Sequence, residues 1–335
     1  MLIRKKNNLV KQKNMKKNYI KHKFNKEINI IDTIIKKNIQ SEVKVIRDIN
    51  NHILNNKKSK KIRPLFTIAI AKIVNYQGTD HYKVAAIIEM IHNATLLHDD
   101  VIDNSSLRRG EKTANIIFDN SISILSGDYI YSKAFQLMAE IKNTEIIKIM
   151  ANTTNILVKG EIIQLHNRFN IQVNETEYLS TIYSKTASIF ETTARICGIL
   201  NQEDKENIEI ISKFGEKFGL LFQIKDDLSS YTSDKTKIGK NINDDLEEGR
   251  ITLPLIYAIN ENNGEHRDYI KEKIQQKDCQ AIRDIVKKSN AIEKTESKIK
   301  EISQEAINCL DKIKTNTPQN KELLKNFIID YMERN

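Results

Sequence analysis

The amino-acid sequence predicts an all-α protein, and three observations carry that expectation. In 335 residues there are only three prolines and ten glycines, so little interrupts a helix or builds the many turns a β protein needs. From about residue 27 onward, apolar residues recur at three- and four-residue intervals, with no sustained alternation of the strand kind. The length suffices for a sizeable core, and no linker or internal repeat divides it. Residues 27–335 therefore read as a single helical domain.

Helices are predicted in order over 28–55, 63–76, 80–103, 120–140, 143–168, 175–199, 204–231 and 251–262, with three more inside 266–335. Within the third, Val84–Leu97 is apolar nearly all round, as a helix buried inside a bundle must be. That helix stops near residue 103, because Asn104-Ser105-Ser106 and then Gly110 follow. The 204–231 helix runs into the most polar internal stretch, Ser229–Arg250, and a loop that long in a compact domain usually has a task.

The net charge of +10 sits in one place. Residues 1–26 hold ten Lys/Arg and no acid, leaving 44 of each sign in the remainder. The tail reads as a solvated, disordered segment, with contact to anionic lipid or RNA a secondary reading. The body is electrically balanced, and no nucleic-acid partner is expected. No secretory signal and no apolar run of about 18 residues is present, and the tail has few of the arginines and serines of a transit peptide. Cys197, Cys279 and Cys309 are odd in number and lack CxxC spacing, so buried free thiols in a reducing cytoplasm are expected.

Two acidic clusters carry the chemistry. Asp99 and Asp103 are i,i+4 neighbours with Asp100 beside them, all at a helix C-terminus, where the macrodipole disfavours negative charge by roughly 0.3–1 kcal/mol each. A divalent cation reverses that cost; magnesium suits an all-oxygen set that leaves room for substrate phosphates. The competing reading is a solvated acidic end paired with Arg108 or Arg109. The second cluster, Asp226-Asp227, closes another long apolar helix 127 residues after Asp99, and the pair points to a metal-bound diphosphate. The cations agree: Lys60, Arg63, Arg108, Arg109, Lys185 and Lys240 lie beside these clusters or in marked loops, and Arg and Lys bind phosphate oxygens. No GxxxxGK[ST] or GxGxxG motif is present.

The run from Glu89 through His92, Ala94, Thr95, His98 and Asp99-Asp100-Val-Ile-Asp103 to Arg108-Arg109-Gly110 resembles the first aspartate-rich motif of the trans-prenyl diphosphate synthases. Lys60-Lys61-Ile62-Arg63-Pro64, Gly160-Glu161-Ile-Ile-Gln164, Lys185-Thr186-Ala187 and Phe222-Gln223 through Pro254 follow in that family's order, and the octaprenyl-forming members are the most similar. The resemblance implies an isoprenoid synthase fold, a helical bundle around a deep central cavity, usually homodimeric. It implies Mg2+, three per active site, on Asp99, Asp100, Asp103 and Asp226. Arg108, Lys185 and Lys240 are implied to grip an allylic diphosphate such as farnesyl diphosphate, and Lys60, Arg63, His92 and Arg109 to bind isopentenyl diphosphate. Thr186 and Gln223 are implied to turn oxygens toward the developing carbocation.

Product length is implied in part. Ala94 and Thr95 lie one turn before Asp99 and are small, so a growing chain passes them; Met138 and Met150 match floor positions, or simply fill the core. A product near C40, a precursor of quinone side chains, is expected, with peripheral contact of the basic tail assisting its release at a membrane. Three departures stand against the family pattern. Ser230 replaces the third aspartate of the second motif, Lys225 takes an apolar position, and Asn55–Ser59 replaces glycines. Lys225 either competes with metal or points away. The rival readings are a non-catalytic subunit of a heteromeric synthase, an HD-type metal phosphohydrolase prompted by His92 and His98-Asp99, and a terpene cyclase, which needs no Lys60, Arg63 and Arg109 set.

Overall fold

A computed structural model describes residues 23–54, 59–108, 110–232, 244–262 and 264–332. Arg109 and Lys240, most of the basic tail and most of the stretch Asn55–Ser59 lie outside the described residues. Phe24 is buried and the first described helix begins at Asn25, just inside the stretch assigned to the tail.

The predicted helix 28–55 is two helices, α1 (Asn25–Asn38) and α2 (Lys44–Leu54). Ile28, Ile31 and Ile35 bury one face of α1. Polar Gln40-Ser41-Glu42 then offers no apolar position to continue that face, and Asn50 Nδ2 ties the turn by donating to the Ile39 carbonyl at 2.7 Å. In α3 (Ile62–Ile73), Pro64 occupies the first turn, where its missing N–H costs nothing, and almost every residue is buried. α4 (Asp80–Ile102) buries the continuous stretch Val84–Ile91 and stops as expected, with Asn104 at φ +51° and the Ser105 N–H returning to the Asp100 carbonyl.

Strand structure, not expected from the sequence, occurs as a two-residue hairpin, β1 (Leu107–Arg108) with β2 (Glu111–Lys112), turned by Gly110 at φ +79°. Next come α5 (Ala114–Phe118), α6 (Asn120–Ala139, capped by the Asp119 carboxylate) and α7 (Thr144–His166, capped by Asn143). α8 (Glu175–Ile182) opens on an Asn174/Glu177 capping box, passes through a π-turn at Tyr183–Ala187 and continues as α9 (Ser188–Leu200). α10 (Lys205–Thr232), the short α11 (Asp244–Glu247) and α12 (Leu253–Glu261) follow. Four helices rather than three complete the described chain: α13 (Glu265–Gln275), α14 (Cys279–Lys288), α15 (Ala291–Lys312) and α16 (Pro318–Met332).

α4 packs against α3 and α6, while α10 packs against α9 and α15. The two halves meet in an aromatic cluster: Phe66 of α3 lies 4.8 Å from Phe218 and 6.1 Å from Phe214 of α10, and 5.2 Å edge-on to Phe190 of α9. Such pairs add about 0.5–1.5 kcal/mol each beyond their burial. All three cysteines are free thiols, Cys197 and Cys279 buried. Among the described residues no helix is long and apolar enough to cross a membrane.

At the start of α4, His81 is buried between Tyr76 and Tyr82, with ring centroids 5.6 and 3.9 Å away. Burial, helped by Lys72, pushes its pKa down to about 4 from the usual 6.5. The unfolded chain therefore takes up this proton first, so the contribution to stability is present above pH 6.5 and is lost as pH falls toward 4. His81→Phe is expected to flatten this acid limb by up to about 3 kcal/mol in denaturant titrations. An acid limb of unchanged slope assigns the effect to other groups.

Candidate active site

The site is organised by two close approaches between helices. A Cβ on Gly160 of α7 would lie 2.6 Å from Ser184 Cβ and 2.8 Å from the Lys185 nitrogen; one on Gly219 of α10 would lie 2.5 Å from Ala187 Cα. Only hydrogen at these positions lets both helices press on the π-turn, a local widening often found at functional sites. The turn presents Lys185 and Thr186. Lys185 Nζ meets Glu161 Oε2 at 2.6 Å and donates to Gln164 Oε1 at 2.7 Å. The Thr186 hydroxyl donates to Gln223 Oε1 at 2.7 Å. The Gln223 amide nitrogen in turn donates to Asp227 Oδ1, also at 2.7 Å, which fixes which way the amide faces.

The first cluster divides its labour. Asp99 is half-buried and lines the cavity; burial pushes its pKa up to about 6, Lys185 and Arg108 opposing and Glu161 and Asp103 reinforcing. Asp100 is buried and does not line the cavity, and Arg108 holds it with both Nε and Nη2 at 2.7 Å. Asp103 is held from two sides, by Arg168 on Oδ1 and by Arg250 on Oδ2 at 2.8 Å. Arg250 continues to Asp245 at 3.1 Å and Glu248 at 2.5 Å. One guanidinium thus joins the end of α4 to α11 and the loop after it.

In the second cluster Asp226 lines the cavity, whereas Asp227 is buried and accepts from the Tyr178 hydroxyl at 2.7 Å. Burial, with Asp245 second, pushes the Asp227 pKa up to about 7. Ser230 does not leave the third position bare: its hydroxyl donates to Asp245 Oδ2 at 3.1 Å. Lys225 does not line the cavity; burial lowers its pKa and the opposing charge is Glu296 on α15, so it points away from the acidic mouth.

Asp99, Asp103, Asp226, Lys185, Thr186 and Gln223 line one cavity of about 750 Å3 with Lys60, Arg63, His92, Arg108 and Thr95. Arg63 also lies 5.5 Å over the Phe190 ring. Ala94, Met138 and Met150 are buried but outside the cavity lining. Arg168, Arg250, Asp245 and Tyr178 escaped sequence reasoning. Arginine beside Gly249 (φ +72°), at the end of a long polar loop, is the one signal available for Arg250. Nothing local marks Tyr178, which is known by its partner alone.

The donor set fits a hard cation. The cavity-lining carboxylates Asp99, Asp103 and Asp226 supply oxygen ligands only. A hard cation such as magnesium takes oxygen ligands and typically binds one or two carboxylates together with substrate phosphates and water. A helical bundle whose cavity brings paired acids together with Lys60, Arg63, Arg108 and Lys185 is that of a prenyltransferase of the isoprenoid synthase fold. Residues 43–292 match the polyprenyl synthetase family, and the chain belongs to it. It is 39% identical over 246 residues to octaprenyl diphosphate synthase of Escherichia coli, covering 73% of this chain and 76% of that one. A decaprenyl diphosphate synthase from Rhodobacter capsulatus superposes with a TM-score of 0.88 at 31% identity, covering 95% and 99% of the two chains. A polyprenyl synthase from Caulobacter crescentus, complexed with calcium and isoprenyl diphosphate, gives 0.88 at 29% identity over 95% and 98%. Members of this family are generally metal-dependent.

Gly160→Ala is expected to push the π-turn off α7 at a cost of about 1–3 kcal/mol. It should weaken inorganic pyrophosphate binding in the presence of Mg2+ more than tenfold. Calorimetric titration and thermal denaturation check this; unchanged pyrophosphate affinity removes the close approach as the device that places Lys185.

Proposed function

We propose that this chain is a trans-polyprenyl diphosphate synthase that adds isopentenyl diphosphate units to an allylic diphosphate, farnesyl diphosphate in the first instance. Its product is near C40 and serves as a quinone side-chain precursor. The observation that best supports this reading is the single cavity that joins an acidic, cation-flanked mouth to apolar walls including Ile91, Leu157 and Phe222.

The chemistry follows from charge placement. Breaking the allylic C–O bond leaves negative charge on the departing diphosphate, beside Lys185 and Arg108, and positive charge on carbon, beside the Thr186–Gln223 pair. Preset charges and dipoles in a half-buried mouth stabilise both without reorganising. Lys60, Arg63 and His92 hold the isopentenyl diphosphate, whose double bond attacks the allylic carbon. A C–C bond forms, and the released diphosphate takes the proton. No protein nucleophile is needed, and His98 has another role: its Nε2 contacts the Ile124 carbonyl at 3.1 Å and Asp128 at 3.3 Å. Mg2+, three per site, would neutralise the diphosphate, with Asp99, Asp103 and Asp226 its candidate ligands and Asp100 acting through Arg108. Arg109 and Lys240 carry the family's diphosphate-binding roles by resemblance. The exposed apolar side chains of α5 and α6, among them Ile116, Ile117 and Leu125 at 63% exposure, support a homodimer. Peripheral contact with a membrane through the basic tail, in an otherwise cytoplasmic protein, completes the reading.

The purified chain incubated with farnesyl diphosphate, labelled isopentenyl diphosphate and Mg2+ is expected to form products centred near C40 by chromatography. Inactivity alone but activity with a second subunit would overturn the reading in favour of a heteromeric partner. Asp99→Ala is expected to lower kcat/KM by at least a thousandfold. Thr95→Phe is expected to shorten the product, because Thr95 lines the cavity one turn below Asp99; an unchanged length places the growing chain elsewhere.

A further inference from the structure

The cavity closes on one side before it reaches the methionines. The Ser105 carbonyl, just past the end of α4, accepts from Thr113 and Asn115 at the start of α5, and α6 begins immediately afterwards, so α6 starts beside the end of α4 and runs back along it. His98 sets the register: its ring touches Asp128, and a Cβ on Gly127 would lie 2.3 Å from its Nε2. One turn further along α6 from Asp128 is Tyr131; one turn back along α4 from His98 is Thr95. The two stand opposite each other at the same depth, and both line the cavity.

Beyond Tyr131 the same face of α6 carries Phe135 and Met138, neither of which lines the cavity. The Tyr131 ring packs on Phe135, with centroids 5.5 Å apart, and its hydroxyl reaches the Thr154 side chain of α7. On α7 the lining likewise ends at Leu157, short of Thr154 and Met150. Met138 is seven residues past Tyr131 and Met150 seven before Leu157, about 10 Å along each helix axis. Space at the methionines is therefore reached only past this tyrosine.

We infer that Tyr131 is a specificity-determining gate at the waist of the product cavity. Thr95 is a small residue on the α4 wall, and the Tyr131 ring faces the cavity from α6 at the same level. A product near C40 needs the ring to turn aside, toward the half-open side where Val158 and Ile162 of α7 are exposed. Ring bulk, rather than the hydroxyl, sets how readily a growing chain passes and hence where elongation ends.

The inference rests on the synthase reading, and the experiment separates the two. Wild type, Tyr131→Ala, Tyr131→Phe and Tyr131→Trp are each given farnesyl diphosphate, labelled isopentenyl diphosphate and Mg2+, and product lengths are read by chromatography. Tyr131→Ala is expected to lengthen the distribution by at least one isoprene unit. Tyr131→Trp should shorten it by two or more, and Tyr131→Phe should leave it unchanged. KM for isopentenyl diphosphate should stay within twofold throughout, which a general distortion of the mouth would not allow. Active Ala and Trp variants with wild-type product lengths overturn the gate and leave the synthase reading intact. A shift in Tyr131→Phe as large as in Tyr131→Ala overturns the role of ring bulk. A wild-type chain that elongates nothing overturns both.

Discussion

Arg250 is the constraint on which the mouth of the cavity depends. It bonds Asp103 from the first acidic cluster and Asp245 and Glu248 from the segment after the second, so one planar cation joins parts of the chain 147 residues apart. Burial alone would lower its pKa, yet the surrounding carboxylates raise it and keep it charged. Arg168 and Arg108 repeat the arrangement at Asp103 and Asp100. Buried ion pairs of this kind add little net stability, but removing one partner leaves an uncompensated charge, typically at 3–5 kcal/mol. Their value here is positional. They hold acids together that would otherwise repel, and they leave Asp99 and Asp226 on the cavity wall.

The same positional logic applies to the two residues that depart from the family pattern beside Asp226. At Ser230 the nearest carboxylate is that of Asp245, which arrives from α11 and accepts from the serine hydroxyl. Lys225, one position before Asp226, is turned about 100° around the helix, and its opposing charge is Glu296. Both residues are partnered from other helices.

Hydrogen in place of side chains does comparable work deeper in the fold. Gly160, Gly215 and Gly219 let α7 and α10 approach the π-turn and α9 more closely than any Cβ allows. That contact aligns one hydrogen-bonded chain in which Thr186 donates to Gln223, and Gln223 and Tyr178 both donate to Asp227. A preset chain of dipoles can stabilise a transient cation because it need not reorganise when charge appears.

Periodicity and end signals made the helices legible, because a buried helix needs apolar residues at fixed intervals whatever surrounds it. The spacing of Asp99, Asp100 and Asp103 likewise fixed a local geometry, and the recurrence of acids at a second helix end made a diphosphate site readable. The break at residues 40–43 was not legible, since Ile39 and Val43 keep an apolar rhythm across it. The π-turn also left no mark, being imposed by the glycines of other helices. Nor did Tyr131 announce itself, because an aromatic residue on an amphipathic helix reads as core until its opposite wall is known. What the sequence determined by itself was every property carried by residues within a turn or two of each other. Which carboxylate meets arginine, which meets the cavity, and which ring lines it were decided only by tertiary structure, because those contacts join helices whose separation along the chain says nothing about their distance in space.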